Sequence, residues 1–226
     1  MAFMTMNTSQ ENVQDWSGDG SNFINKSGFY EVVIKAAIVD VTQKGSQHIN
    51  LWVDYNGQDQ MLFQAIRLTN TDGSPNLGQQ LFTKLYTVLG GQDGGVIAEP
   101  VSKQLPIGAK GAEKEAMVLE EFTDQPVIIR IQMEYSLYEG KIQEKKLVRN
   151  VFRVTDKATA AEIVNAATPG EQYNKEAEFA DQVKYDDGLT EEDVKKWKAD
   201  QKANRGKITS DNKPTAGFGG KKFGAK

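Results

Sequence analysis

Residues 28–55 read GFYEVVIKAAIVDVTQKGSQHINLWVDY, and the fold of the chain turns on them. Residues 29–41 are rich in β-branched and aromatic side chains and long for one strand, so the segment is expected to pair on both edges and bend midway, where Ala36 and Ala37 are small. Residues 47–55 alternate cleanly: Ile49, Leu51 and Val53 share one face, His48, Asn50, Trp52 and Asp54 the other. The turn between them, residues 42–46, places Lys44 at its tip and Gly45 where a positive φ is needed. The reading is a hairpin with one core face and one polar face that presents an indole.

Outward from this hairpin the pattern continues. Asn56-Gly57 is a tight-turn signal, and residues 60–68 return as a third strand. Its alternation, Met61, Phe63, Ala65 and Arg67 against Leu62, Ile66 and Leu68, does not assign a core face. The period then becomes helical. Leu77, Leu81, Leu85, Val88 and Leu89 form a stripe, broadened by Phe82 and Tyr86, with Asn76 as N-cap and Gly90-Gly91 as the stop. Residues 92–125, broken by glycine and proline, are expected to be an elaborated connection with a short helix near 113–121. Residues 126–138 and 141–154 form a second hairpin whose outer face carries Arg130, Lys145, Arg149 and Arg153. Strand, strand, strand, helix, strand, strand is the element order of the five-stranded Greek-key barrel called the oligonucleotide-binding (OB) fold, so a mainly β fold of that type is expected over residues 27–155.

The flanks differ in character. Residues 1–26 read as a flexible arm with apolar anchors at Val13, Trp16, Phe23 and Ile24. Residues 156–203 read as an acidic helical extension: Ala158, Ala161 and Val164 suggest one face of a short helix, and Thr190 with Asp193 caps a second that carries Trp197. Residues 204–226 have the composition of a disordered basic tail. The net charge of −4 divides as 14 basic against 18 acidic residues up to Thr155, 3 against 11 from Asp156 to Val194, and 10 against 2 thereafter, that is −4, −8 and +8. Such blocks are solvated tails or association surfaces.

Composition narrows the function. The chain has no Cys and one His, so thiolate sites, paired histidine ligands and most nucleophilic constellations are excluded; no cofactor or metal is expected, and neither is an enzyme. Neither glycine-rich stretch, LGGQDGG or GFGGKKFG, has phosphate-loop spacing. No apolar run approaches the roughly 18 residues of a membrane span, and the first ten residues show no secretory signal. The missing cysteines point to a reducing, cytoplasmic compartment. Single-stranded nucleic acid is the ligand class that remains best supported, because it is held by aromatic platforms within a basic groove. Trp52, Tyr55, Tyr135 and Tyr138 are the candidate platforms, with His48 beside Trp52. Lys44, Arg67, Arg130, Lys141, Lys145, Lys146, Arg149 and Arg153 are the candidate phosphate contacts.

The run GFYEVVIKAAIVDVTQKGSQHINLWVDYNGQ, the helix LGQQLFTKLYTVLGG and the closing hairpin resemble bacteriophage single-stranded DNA-binding proteins of the OB-barrel type, over residues 27–155. The resemblance implies a replication or recombination protein in the host cytoplasm that coats exposed single strands and recruits replication proteins. Many such proteins end in an acidic tail with a terminal aromatic. Here the acidic block comes earlier and the end is basic, with Trp197, Phe218, Lys221, Lys222 and Phe223 as the candidate partner contacts, for instance to a polymerase. The alternative is a protein-binding or nucleic-acid-mimicking adaptor that acts through the barrel and the charged C-terminal region.

Overall fold

A computed structural model of the chain describes residues 22–62, 65–108 and 111–205. Among these, nine strands join into one sheet with few helices. β1 (Gly28–Val41) lies at its centre, followed by β2 (Gln47–Tyr55), β3 (Gln58–Met61), β4 (Ile66–Arg67), helix α1 (Leu77–Val88), β5 (Val101–Leu105), β6 (Lys114–Leu119), β7 (Gln125–Tyr138) and β8 (Lys141–Phe152). The extension adds α2 (Ala160–Val164), α3 (Glu171–Ala177), β9 (Lys184–Tyr185) and α4 (Glu191–Arg205).

β1 does pair on both edges. Antiparallel β2 runs along Val33–Val41 on one edge, while the other edge pairs with β7 over Gly28–Ile34 and then with β6 over Ala37–Val39. Between Ile34 and Ala36 the register with β2 slips, a bulge that bends the strand and curls the sheet. The slip also exchanges faces. Val32 and Ile34 before it, and Ala37 and Val39 after it, face the main core, while Ala36 and Ile38 turn to the opposite side.

The main core lies inside the curl, where β1 residues meet Ile49, Leu51 and Val53 of β2, Val127, Ile129 and Ile131 of β7, and Phe82, Leu85 and Val88 of α1. The helix therefore docks by a face rotated from the expected stripe: Leu77 is 79 % exposed and Leu81 only half-buried. Asn76 does cap the helix, its Oδ1 accepting from Gly78 N at 3.3 Å. The Asn56-Gly57 turn forms with both φ positive, 51° and 77°, as a two-residue hairpin requires. The third strand is split into β3 and β4; Ile66 is buried and Arg67 exposed, which assigns its faces.

Residues 92–125 depart from expectation. Lys114–Leu119 is a strand, not a helix, and pairs with β5 as a hairpin, leaving only a 3-10 turn at Glu120–Phe122. Alternation of buried Ala116 and Val118 with exposed Glu115 and Met117 is a period of two, which a half-buried strand satisfies and a helix does not.

The chain divides into two compact units: Met1–Glu134 with Glu144–Lys184, and Tyr135–Gln143 with Tyr185–Lys226. In the first, the acidic extension packs closely. Tyr173 stacks on Phe29 at 4.2 Å and meets Phe152 edge-on at 5.4 Å. α2 buries Ala160 and packs Ile163 against the main core, whereas Ala161 and Val164 are exposed, so the expected apolar face is misplaced by one residue. Of the N-terminal arm, Ile24 is a buried anchor whose N–H donates to Gln60 Oε1 at 2.9 Å; Val13 and Trp16 lie outside the described residues. In the second unit Thr190 and Asp193 form the expected cap of α4, the Thr190 hydroxyl donating to Asp193 Oδ2 at 2.6 Å and accepting from Asp193 N at 3.3 Å.

Glu162 ties α2 to α3. It accepts from Thr159 N at 2.7 Å, Gln172 N at 2.8 Å and Gly170 N at 3.3 Å. Burial alone pushes this carboxyl up, but these backbone donors outweigh it and hold the group below its ordinary range. A depressed folded pKa contributes stability that is fully present above the unfolded value of about 4.3 and is lost as pH falls through the folded value. Glu162→Gln is therefore expected to lower stability at neutral pH and to make the acid limb of a stability-versus-pH curve shallower; an acid limb identical to that of the native chain would contradict this.

Candidate nucleic-acid interface

Within the first unit, β4, α1 and β8 bound a groove of about 600 Å³ lined by five cations. Its walls are set by close backbone approach. Asn76 N donates to Leu68 O at 2.8 Å, and a Cβ at position 78 would strike the Arg67 carbonyl, so Gly78 lets α1 lie directly against β4. Arg67 and Lys84 enter from this side, and Lys145 and Arg149 enter from β8. Lys184, at the start of β9, completes the set.

Among the described residues the charged lining comprises these five cations and a single carboxylate, Glu134. Glu134 is only 8 % exposed, and three of the cations converge on it: Arg149 Nη2 at 3.0 Å, Lys184 Nζ at 3.1 Å and Lys145 Nζ at 3.8 Å. Arg149 is further held by Gln132, to which its Nε donates at 2.8 Å. Leu77, Leu81, Leu147 and Val148 supply apolar wall, and among the described residues no aromatic ring lines the groove. At its far end Lys84 and Arg149 are shared with a second hollow of about 460 Å³, where Glu162, Glu171 and Glu176 offset Lys175.

Arg67, Lys145 and Arg149 are thus three of the expected contacts that the fold does bring together. His48 stands near Arg67: the two residues pair across β2 and β4, and Ser46 Oγ lies 3.1 Å from His48 Nε2 while accepting from Arg67 Nε at 3.1 Å. Lys44 is exposed at the tip of the β1–β2 turn. Tyr138, 60 % exposed, and Lys141 lie at the β7–β8 turn in the second unit.

The remaining expectations are corrected. Trp52 is only 8 % exposed, packed with Ala36, Ile38, Ala116 and Val118. The β5–β6 hairpin extends the sheet beside β1 and adds Ala116 and Val118 to the apolar cluster of Ala36, Ile38 and Trp52, with Met61, Leu105 and Ile107 packed against it. The hollow beside this cluster, about 530 Å³, sets Asp40 and Glu115 against Lys114 and has no cationic excess. Tyr135 is 3 % exposed, stacked on Tyr185 at 5.8 Å, edge-on to Trp197 at 6.4 Å and covered by the Lys198 ammonium at 5.0 Å, so it is not an open platform, and Trp197, expected as a partner contact, is half-buried against it. Tyr55 is half-buried and edge-on to Tyr30.

Three cations are likewise committed elsewhere. Arg130 is buried, its Nη1 donating to Glu176 at 3.0 Å with its guanidinium 4.7 Å from the Phe179 ring, because α3 covers that stretch of β7. Lys146 Nζ donates to the Ile24 carbonyl at 2.7 Å. Arg153 makes two bonds to Asp156, at 2.9 and 2.6 Å, and this pairing holds the Asp156 carboxyl below its ordinary range. Phe218, Lys221, Lys222 and Phe223 lie outside the described residues.

Sequence reasoning missed Lys84 and Lys184. Lys84 had a signal: it follows Leu77 and Leu81 at i+7 and i+3, the place on that stripe where another apolar residue belongs. Lys184 had none, being one of three basic residues in an acidic block.

Fold and groove together define a mainly β protein, its antiparallel sheet curled around one helix, with a cation-rich channel between helix and sheet. Comparisons of the chain with protein-family models and with curated proteins found no match. Among the described residues no cluster of acidic or histidine side chains is arranged to hold a metal ion, and no helix is long and apolar enough to cross a membrane.

Burial of the indole makes Trp52 a stability residue. Trp52→Ala is expected to cost about 3–5 kcal/mol in urea denaturation, the penalty of truncating a buried aromatic. Unchanged stability combined with lost oligonucleotide affinity would return Trp52 to the interface.

Proposed function

We propose that this chain is a non-catalytic, sequence-independent single-stranded DNA-binding protein of bacteriophage replication or recombination, acting in the host cytoplasm, with an OB-type barrel as its scaffold. The observation that carries the reading is the groove: Arg67, Lys84, Lys145, Arg149 and Lys184 against one carboxylate. A strand of nucleic acid carries a phosphate at every nucleotide and gains affinity by replacing condensed counterions with such cations. Phosphates are common to every sequence, so cations that meet them suit binding without sequence preference.

The element order supports the scaffold. β1, β2, the split β3–β4, α1, β7 and β8 follow the OB sequence, with the β5–β6 hairpin inserted after the helix. The groove then lies between the third and fifth barrel strands. That is a different place from the outer face of β1 and β2, where Trp52 suggested the strand would run. The acidic charge elsewhere on the chain does not oppose this, because a local cationic channel focuses field over short distances.

A second reading, a protein-binding adaptor, is favoured by the sealing of Trp52 and Tyr135 and by the acidic net charge ahead of Lys195, −4 plus −8, or −12. Labelled oligothymidylate separates the two. Anisotropy titrations are expected to show binding at low salt that weakens steeply as salt rises. The Lys84→Ala, Lys145→Ala double variant should bind more weakly, with the slope of log K against log salt reduced by about 1.4, or 0.7 for each contact removed. Absence of binding by the full chain at low salt would favour the adaptor. So would binding that disappears entirely on deleting residues 195–226.

A further inference from the structure

Glu134 is an unusual residue to find in the floor of a phosphate channel. It is nearly buried and carries a negative charge where the proposed ligand is negative, yet three groove cations point at it. We infer that Glu134 is a resident anion that holds the groove cations in place and moderates affinity, so that strand binding proceeds by partial displacement of its ion pairs. The inference rests on the single-strand reading of the groove.

The geometry separates two kinds of partner. Arg149 is held by Glu134 Oε2 and by Gln132 together, a two-point attachment that fixes a planar guanidinium. Lys145 and Lys184 meet Glu134 through their ammonium groups, at 3.8 and 3.1 Å, and their side chains are 41 % and 45 % exposed. An ammonium carries three donors, so each lysine can turn toward a phosphate arriving from the open side while Arg149 stays in position. Glu134 then repels the phosphate it has helped to receive. This penalty bears hardest on a ligand with one or two charges and is overcome by a strand that engages several cations at once. The carboxylate thus keeps the protein releasable and favours chains over isolated anions.

The test compares Glu134→Gln and Glu134→Asp with the native full-length chain, using anisotropy of labelled oligothymidylate across a salt series. Glutamine preserves shape and an acceptor for Arg149 but removes the charge. It is expected to tighten binding roughly fivefold at low salt, the order of one screened charge–charge repulsion at close range. The salt slope should steepen by about 0.7 for each additional phosphate engaged. Aspartate keeps the charge and should bind as the native chain does. Glu134→Gln affinity equal to or weaker than native, with the variant's denaturation midpoint unchanged, overturns the inference while leaving the single-strand reading intact. Equal tightening by both variants overturns it as well, because charge would then not be the cause. No binding by any of the three proteins removes the single-strand reading and this inference with it.

Discussion

One extra residue in the central strand governs much of this protein. A strand's side chains alternate strictly, so a single slip in register sends every following residue to the opposite face. In β1 the slip falls between Ile34 and Ala36, and the strand supplies Val32 and Ile34 to the main core but Ala36 and Ile38 to the other side. The sheet therefore has apolar surface on both faces: α1 packs inside the curl, and on the other face Trp52 is enclosed by Ala36, Ile38, Ala116 and Val118 with Met61, Leu105 and Ile107 against them.

The same economy of neighbours determines which cations remain available to a ligand. Arg130, Lys145, Arg149 and Arg153 all come from the β7–β8 hairpin, and their sequence pattern makes them equivalent. Their partners make them different. A buried guanidinium is tolerated only with a carboxylate close by, and Glu176 reaches Arg130 from α3, with Asn150 and Gln172 also donating to that carboxylate. Arg153 is satisfied by Asp156, three residues away. Lys145 and Arg149 instead share Glu134 with Lys184 and line an open channel, where their charge acts on whatever enters. The acidic extension is accordingly part of the groove's architecture. It removes one arginine from the surface and contributes one lysine to the groove.

Much was determined by the sequence alone, wherever the deciding interaction is local. Alternation in residues 47–55 assigned the core face of β2, Asn56-Gly57 specified its turn, Asn76 placed the start of α1, and Thr190 with Asp193 placed the start of α4. These signals depend on backbone preferences and on hydrogen bonds spanning a few residues, which a linear pattern records. Tertiary structure alone decided the rest. The pairing of β6 with β1, the rotation of α1 that exposes Leu77, the enclosure of Trp52 and Tyr135, and the meeting of Arg67, Lys84, Glu134, Lys145, Arg149 and Lys184 all depend on segments far apart in the chain. Burial and ion pairing are properties of what packs against a residue. A tryptophan on a polar-looking face reads the same whether water or apolar side chains lie against it, and only the folded chain distinguishes the two.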